Sequence, residues 1–341
     1  MYYRKTDDFD SFRCLAGDCP LSCCAAWQIV IDGDSLARYD SIPGEMGRLL
    51  REGIDRGESC FRQDAARRCA MLLDDGLCRL QKQCGEQALC RTCAQYPRHC
   101  EEYDGVREWT LAISCPEAAR MLLTREEPMR WVTSEDDTPE PDPDDEFDDL
   151  FYDRLLTARE TFINTLQDRS LPVRERAERV LALAGALQDR FDDGDIFGAD
   201  ALFDAPPEPG GTLPECIRAF AALKDLEVLY PDWPAMLDAV IARSAEEGFA
   251  RTLCDEIDRH AVQCERLLVY FIDVYLCGAV YDGELFGRAA LAVYGTWWIV
   301  MLSYAGGISL AEAAQRYARE VFHSDINPDD LIGRLSAGRK N

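Results

Sequence analysis

Cys14-Leu-Ala-Gly-Asp-Cys19-Pro-Leu-Ser-Cys23-Cys24-Ala-Ala-Trp27 places four cysteines in fourteen residues. Eight more follow by residue 115, at positions 60, 69, 78, 84, 90, 93, 100 and 115. The other four, Cys216, Cys254, Cys264 and Cys277, are scattered through the remainder. A loop-rich segment with so many thiols and so few large apolar residues predicts a small α+β module in which a bound metal substitutes for a large core.

Outward from this stretch, composition narrows the possibilities. Apolar residues make up 47% of the 341, as in an ordinary globular protein. Met1-Tyr-Tyr-Arg-Lys-Thr-Asp-Asp lacks the apolar run of a signal peptide, so the expected location is cytoplasmic. In that reducing compartment, dense cysteines point to metal binding or catalysis ahead of disulfides. The longest apolar stretch, residues 289–302, is about 14 residues, too short to span a bilayer, and reads as a buried helix without membrane insertion. Residues 1–130 hold 18 basic and 22 acidic residues, or −4, and residues 131–341 hold 19 and 41, or −22. Such a surface repels phosphate backbones, which excludes nucleic acid and suits a cationic partner.

The clearest boundary is residues 134–149, SEDDTPEPDPDDEFDD, with ten acidic residues and three prolines. It predicts an exposed linker and sets three parts: a cysteine-rich domain over 1–130, an acidic linker over 131–149 and a helical domain over 150–341. Before the linker, residues 27–32 and 109–113 alternate like strands, the second with Trp109, Leu111 and Ile113 on one face. Helices are expected near residues 34–41, 44–53 and 116–125. After it, Val173, Ala177, Val180, Leu181, Ala184 and Leu187 keep one helical face, and Ser309-Leu-Ala-Glu312 reads as a capping box. Residues 189–211 read as a long loop. The expected architecture is mainly α, with the 289–302 helix central and Trp297 and Trp298 packed in the core.

The cysteine spacing selects the chemistry. The candidate ligands are Cys14, Cys19, Cys23, Cys24, Cys69, Cys78, Cys90, Cys93 and Cys115. Thiolates suit zinc and iron–sulfur clusters. Structural zinc sites show two short knuckles, and here Cys90-x2-Cys93 is the one pair with the tight x2 spacing. A cluster accepts ligands from separate loops, which favours iron–sulfur with zinc as the alternative. Neighbouring Cys23 and Cys24 point opposite ways in an extended segment, so one of them packs or serves a second site. Cys60, Cys84 and Cys100 read as buried small hydrophobes.

The run Cys14–Trp27 followed by Ile29-Val-Ile-Asp32 resembles the opening of the flagellin lysine-N-methylase family. Cys69-Ala-Met-Leu-Leu-Asp-Asp-Gly-Leu-Cys78, Leu89-Cys-Arg-Thr-Cys93-Ala-Gln-Tyr-Pro-Arg98 and Ser114-Cys-Pro-Glu-Ala-Ala-Arg120 are similar to further blocks of that family. Weaker likeness continues in residues 267–271 and in Tyr317-Ala-Arg-Glu-Val-Phe-His323. The first three blocks also define a wider cysteine-rich group of zinc- or iron-chelating proteins; the other blocks favour the methylase branch. Ala70-Met71 replace the family's usual Pro-Phe, and Phe322 stands where an acidic residue is expected. What the resemblance implies is transfer of a methyl group from S-adenosylmethionine to lysines of flagellin, with a [4Fe-4S] cluster. No acidic-Gly-x-Gly-x-Gly loop of a doubly wound fold occurs, so the methyl donor would be held differently. Lysine must also lose its proton, from a pKa of about 10.4, at a cost of about 4–5 kcal/mol at neutral pH. Glu117, Glu320, Tyr96, Tyr270 and His323 are candidate bases, with no spacing to choose among them. A non-enzymatic metal chelator and an iron–sulfur redox protein remain the alternatives.

Overall fold

The computed structural model describes residues 1–138 and 147–339. The fold is mainly α, with one small four-stranded sheet. The first 138 residues carry strands β1 (Tyr2–Thr6), β2 (Ile54–Asp55), β3 (Cys60–Phe61), β4 (Arg98–Tyr103), β5 (Val106–Leu111) and β6 (Trp131–Glu135). Among them lie short helices α1 (Gly33–Asp40), α2 (Gly44–Gly53), α3 (Arg79–Cys84), α4 (Arg91–Gln95) and α5 (Pro116–Thr124). The remainder is helical: α6 (Asp149–Gln167), α7 (Val173–Asp192), α8 (Asp200–Asp204), α9 (Leu213–Ala219), α10 (Trp233–Ser244), α11 (Phe249–Arg259), α12 (Ala261–Tyr275), α13 (Ala279–Asp282), α14 (Leu285–Gly306), α15 (Leu310–Phe322) and α16 (Asn327–Arg339).

The sheet order is β4-β5-β1-β6. β4 and β5 form a hairpin through Asp104-Gly105, where Gly105 takes the positive φ of 71° that such a turn requires. β1 runs parallel to β5 and antiparallel to β6. Residues 131–135, expected in the linker, are therefore an edge strand, paired from Thr6 opposite Trp131 to Tyr2 opposite Glu135. The prolines and half of the acids of that stretch, residues 139–146, lie outside the described residues. The expected face of β5 is reversed. Glu108 and Thr110 are the buried pair, and Trp109 packs edge-on to Phe9, ring centres 6.2 Å apart, on the other side. What decides this is a buried charge network. Arg159 of α6 grips Glu108 (Nη2–Oε1 2.6 Å), while Arg4 of β1 reaches Asp273 of α12 at 2.6 Å and Trp131 donates to the same carboxylate at 2.9 Å. Residues 27–32 alternate as expected, with Ile29 and Ile31 buried and Val30 exposed, but make a single bridge, Val30 to Cys60, in place of a strand.

Two main cores result. The smaller unites Ile29, Ile31, Tyr39, Leu50, Ile54, Phe61 and Leu80 with Cys69 and Cys90. The larger runs from Tyr103 to Ile332, so Ile113, Leu122, Leu123 and Met129, assigned by sequence to the first domain, pack with the helices. The larger core thus begins at Tyr103, inside the stretch assigned to the first domain. α14 occupies the centre; it is 22 residues long because Leu285–Arg288 and Ser303–Gly306 extend the apolar run. By length and composition this helix reaches the size needed to cross a membrane, contrary to the shorter run read from sequence, but 89% of its most apolar window is buried in the protein. Trp298 is fully buried and donates to Cys216 O at 3.0 Å, as core packing predicts.

Glu108→Ala would strand the buried Arg159 guanidinium. Chemical denaturation is expected to show a loss of about 3–5 kcal/mol.

Candidate functional site

The cysteines arrive on four loops that the local sequence shapes. Cys14 and Cys19 flank a single 3-10 turn, Ala16–Asp18, and Ala16 (φ 48°) and Ala26 (φ 75°) bend the chain on either side of Cys23-Cys24. Cys24 O accepts the Cys69 amide at 2.8 Å, which draws the first loop onto the second. Asp74-Asp75-Gly76 then turns the chain back, so that Leu72 bridges Cys78. Cys78, Cys90 and Cys115 occupy the N-cap positions of α3, α4 and α5. There, free amide groups favour a thiolate over a thiol.

The charges of the nine thiols are mutually felt. Hydrogen bonding to Cys24 lowers the pKa of both Cys23 and Cys78, and Cys24 itself is raised. Hydrogen bonding to Cys93 likewise lowers Cys90, and Cys93 is raised. Cys69 lies within electrostatic range of Cys23, Cys78 and Cys90; burial pushes it up to about 11. On the other side burial raises Cys19 and pushes Cys115 up to about 11 despite its N-cap position, with Cys14 and Cys23 in electrostatic range of the first and Cys14 and Cys19 of the second. Cys60 stands apart in β3, Cys84 at the end of α3 and Cys100 in β4. No disulfide joins any of the sixteen cysteines. Among the described residues no three Cys, His, Asp or Glu side chains already converge at the spacing of one metal ion. The donor set fits a soft metal by its chemistry: free thiols on adjoining loops, several at helix N-termini and with lowered pKa values.

The helical half contributes a residue that no motif predicted. Arg319 of α15 is buried and donates to Ser114 O (3.0 Å), Tyr230 OH (2.7 Å) and Ser22 O (3.3 Å), neighbours in sequence of Cys115 and Cys23. Among the described residues it makes no ion pair with a carboxylate; its charge opposes the burial that raises Cys19 and adds to the Cys24 hydrogen bond that lowers Cys23. It lies within the Tyr317–His323 block, and at three and four residues before Phe322 and His323 it shares their helical face.

That face closes a cavity of about 520 Å³ between the cysteine loops and the helices. Its walls include Trp27 and Tyr96 from the first half and Tyr270, Tyr275, Phe322 and His323 from the second. The His323 ring centre lies 5.0 Å from Trp27 and 6.1 Å from Tyr96. Trp27 is tied back to the thiol loop by its Nε1–H, which donates to Cys23 O at 2.8 Å. Phe322, the departure from the expected acid, stacks on Tyr275 with ring centres 4.3 Å apart and so completes the wall. A second, polar cavity of about 460 Å³ shares Trp27, Gln28, His323 and Asp325 with the first.

The candidate bases separate clearly. Glu117 is paired with Arg120 at 2.6 Å, which holds its carboxyl below the usual range. Glu320 accepts the amides of Leu229 and Tyr230 at 2.9 and 2.7 Å, and burial pushes it up to about 7. Burial raises Tyr96 and Tyr270, both on the cavity wall. Burial, aided by the Arg319 charge, pushes His323 down to about 3, so its ring is neutral.

No protein-family model matches the chain, and no solved structure matches it. A stretch of 126 residues, 35% of this chain, is 28% identical to the flagellar biosynthetic protein FliU of Salmonella muenchen, covering 75% of that protein. The same identity and length hold for the lysine-N-methylases of Salmonella typhimurium and Salmonella choleraesuis, of which 31% is covered. The chain is thus a distant relative of these proteins and spans about a third of the length of the two methylases.

His323 binds a proton less readily folded than unfolded, where its pKa is 6.5. Its contribution to stability is present above that value and is lost as pH falls toward about 3. His323→Gln is therefore expected to flatten the decline of urea midpoint across this window.

Proposed function

We propose that the chain is a cytoplasmic protein-lysine N-methyltransferase that acts on flagellin, with a thiolate-bound metal centre beside its substrate cavity. A [4Fe-4S] cluster is the preferred centre and zinc the alternative; S-adenosylmethionine is the methyl donor. The observation that carries this reading is the aromatic cavity set directly against the thiol loops, in a chain distantly related to lysine-N-methylases. A cavity of about 520 Å³ falls within the range of small-molecule sites, and a simple chelator has no use for it.

The reaction is a displacement. The lysine nitrogen lone pair forms the new N–C bond, the C–S bond breaks with its electron pair leaving on sulfur, and the ammonium formed returns a proton to solvent. The donor supplies an activated methyl group. The chain's own part is to hold the amine, exclude water and keep the amine unprotonated. The rings of Trp27, Tyr96 and Tyr270 exclude water, and the acidic residues Glu101 and Asp325 at the cavity draw in a cationic side chain. Cys23, Cys24, Cys69, Cys78, Cys90 and Cys93 are the thiols that would hold the metal, with Cys14, Cys19 and Cys115 adjoining.

Anaerobically purified protein is expected to carry about four irons and four sulfides per chain and to methylate flagellin lysines. Cys78→Ser and Cys90→Ser are expected to lose metal, whereas Cys60→Ser retains it. Metal-loaded protein that methylates no lysine would leave chelation as the activity.

A further inference from the structure

The wall of the aromatic cavity contains two buried polar atoms without a hydrogen-bond partner among the described residues, His323 Nδ1 and Thr110 Oγ1. Orphaned buried groups of this kind are uncommon, and a pair on one cavity marks where a ligand's polar atoms belong. The charges around the cavity are ordered from rim to floor. Asp325 is exposed after α15, and Glu101 of β4 is half-exposed and joined to His99 at 2.6 Å. Arg98, also of β4, lies against the ring of Phe12, 5.2 Å from its centre. Tyr270 and Tyr275 of α12 and Tyr96 after α4 are all uncharged there, since burial raises their pKa values. Behind Tyr96 and His323 stands Arg319, a buried cation with no carboxylate partner among the described residues.

We propose that this cavity takes a primary alkylamine in its neutral form, with the amine N–H donated to His323 Nδ1 and the alkyl chain among Trp27, Tyr96 and Tyr270. Rim carboxylates attract the ammonium from solution. Inside, desolvation and the Arg319 charge both oppose a positive nitrogen, so the proton is shed on entry. Two of these effects act without any protein base, as in lysines activated by burial beside another cation. His323, itself neutral, serves as an acceptor that orients the amine and leaves its lone pair free. That the amine is a lysine side chain rests on the function proposed above; neutral-amine selection is tested without methyl donor or turnover.

Calorimetric titration of the purified protein with N-acetyl-lysine methylamide reads this directly. A lysine free in solution has a pKa of about 10.4, so selection of the neutral form makes the apparent affinity rise about tenfold per unit between about pH 7 and pH 9. The trimethyl-lysine counterpart, always charged and without N–H, is expected to bind at least about tenfold more weakly near pH 9, with no such slope. His323→Leu is expected to weaken lysine binding about fivefold and His323→Gln, which keeps an acceptor, to restore most of it. Affinity independent of pH, or trimethyl-lysine bound as tightly as lysine, would overturn the proposal in favour of a cation cage. Absence of lysine binding overturns it as well, whereas binding with this slope but no methylation counts against the methylase reading alone.

Discussion

A helix with no polar side has to be wrapped on every side, and α14 is such a helix. Sixteen of its residues are buried, and α7, α10, α11, α12, α15 and α16 pack around it. The wrapping is close. A Cβ at Gly295 would lie 2.7 Å from the Tyr317 hydroxyl, so glycine there lets α15 settle against the centre of α14. Fixing Tyr317 on α14 turns the following residues of α15, Ala318, Arg319, Phe322 and His323, toward the cysteine loops. The site therefore depends on the helical core even though its thiols belong to the smaller one.

Buried charge is the second organising element. Arg159 answers Glu108, and Arg176 and Arg169 answer Glu265 at 2.7 and 2.8 Å. Arg266 and Arg319 instead donate to neutral oxygens. Their surroundings differ. Arg266 has Asp7, Asp8 and Glu265 in electrostatic range. Arg319 faces thiols, tyrosines and an imidazole. A buried guanidinium without a partner anion costs several kcal/mol, and the three oxygens that accept from Arg319 offset part of that cost.

The parts of the fold legible in sequence were those with local causes. The α7 face from Val173 to Leu187 is buried as its spacing requires, and Ser309 caps α15 by accepting the Glu312 amide at 3.2 Å. Local pattern misled where a distant partner decided. Trp109, Leu111 and Ile113 alternate like a core face, yet Arg159, 51 residues away, turns Glu108 inward instead. The linker reading likewise counted acidic residues and missed that Val132 and Thr133 have partners on β1. For the site, cysteine is rare enough to be noticed, and spacing singled out nine thiols; no three of them converge at the spacing of one metal ion among the described residues. Arg319 went unnoticed because one arginine among many carries no spacing signal; its meaning comes from burial and from the lack of a carboxylate partner among the described residues.

The position of Arg319 joins the two halves of the site through charge. Its guanidinium faces Cys19 and Cys23 on one side and His323 and Tyr96 on the other. Thiols in their neutral form leave the positive charge uncompensated, and the cavity then disfavours a cation most strongly. The field of a single buried charge falls off slowly where water is excluded, so it is felt at Tyr96 and His323 on the cavity wall. The Ser22 and Ser114 carbonyls, fixed to the same side chain, keep the two loops in register. Arg319 is thus a structural tether and an electrostatic link at once, which is why lysine, with one compact charge and no fork of donors, is a poor substitute for it.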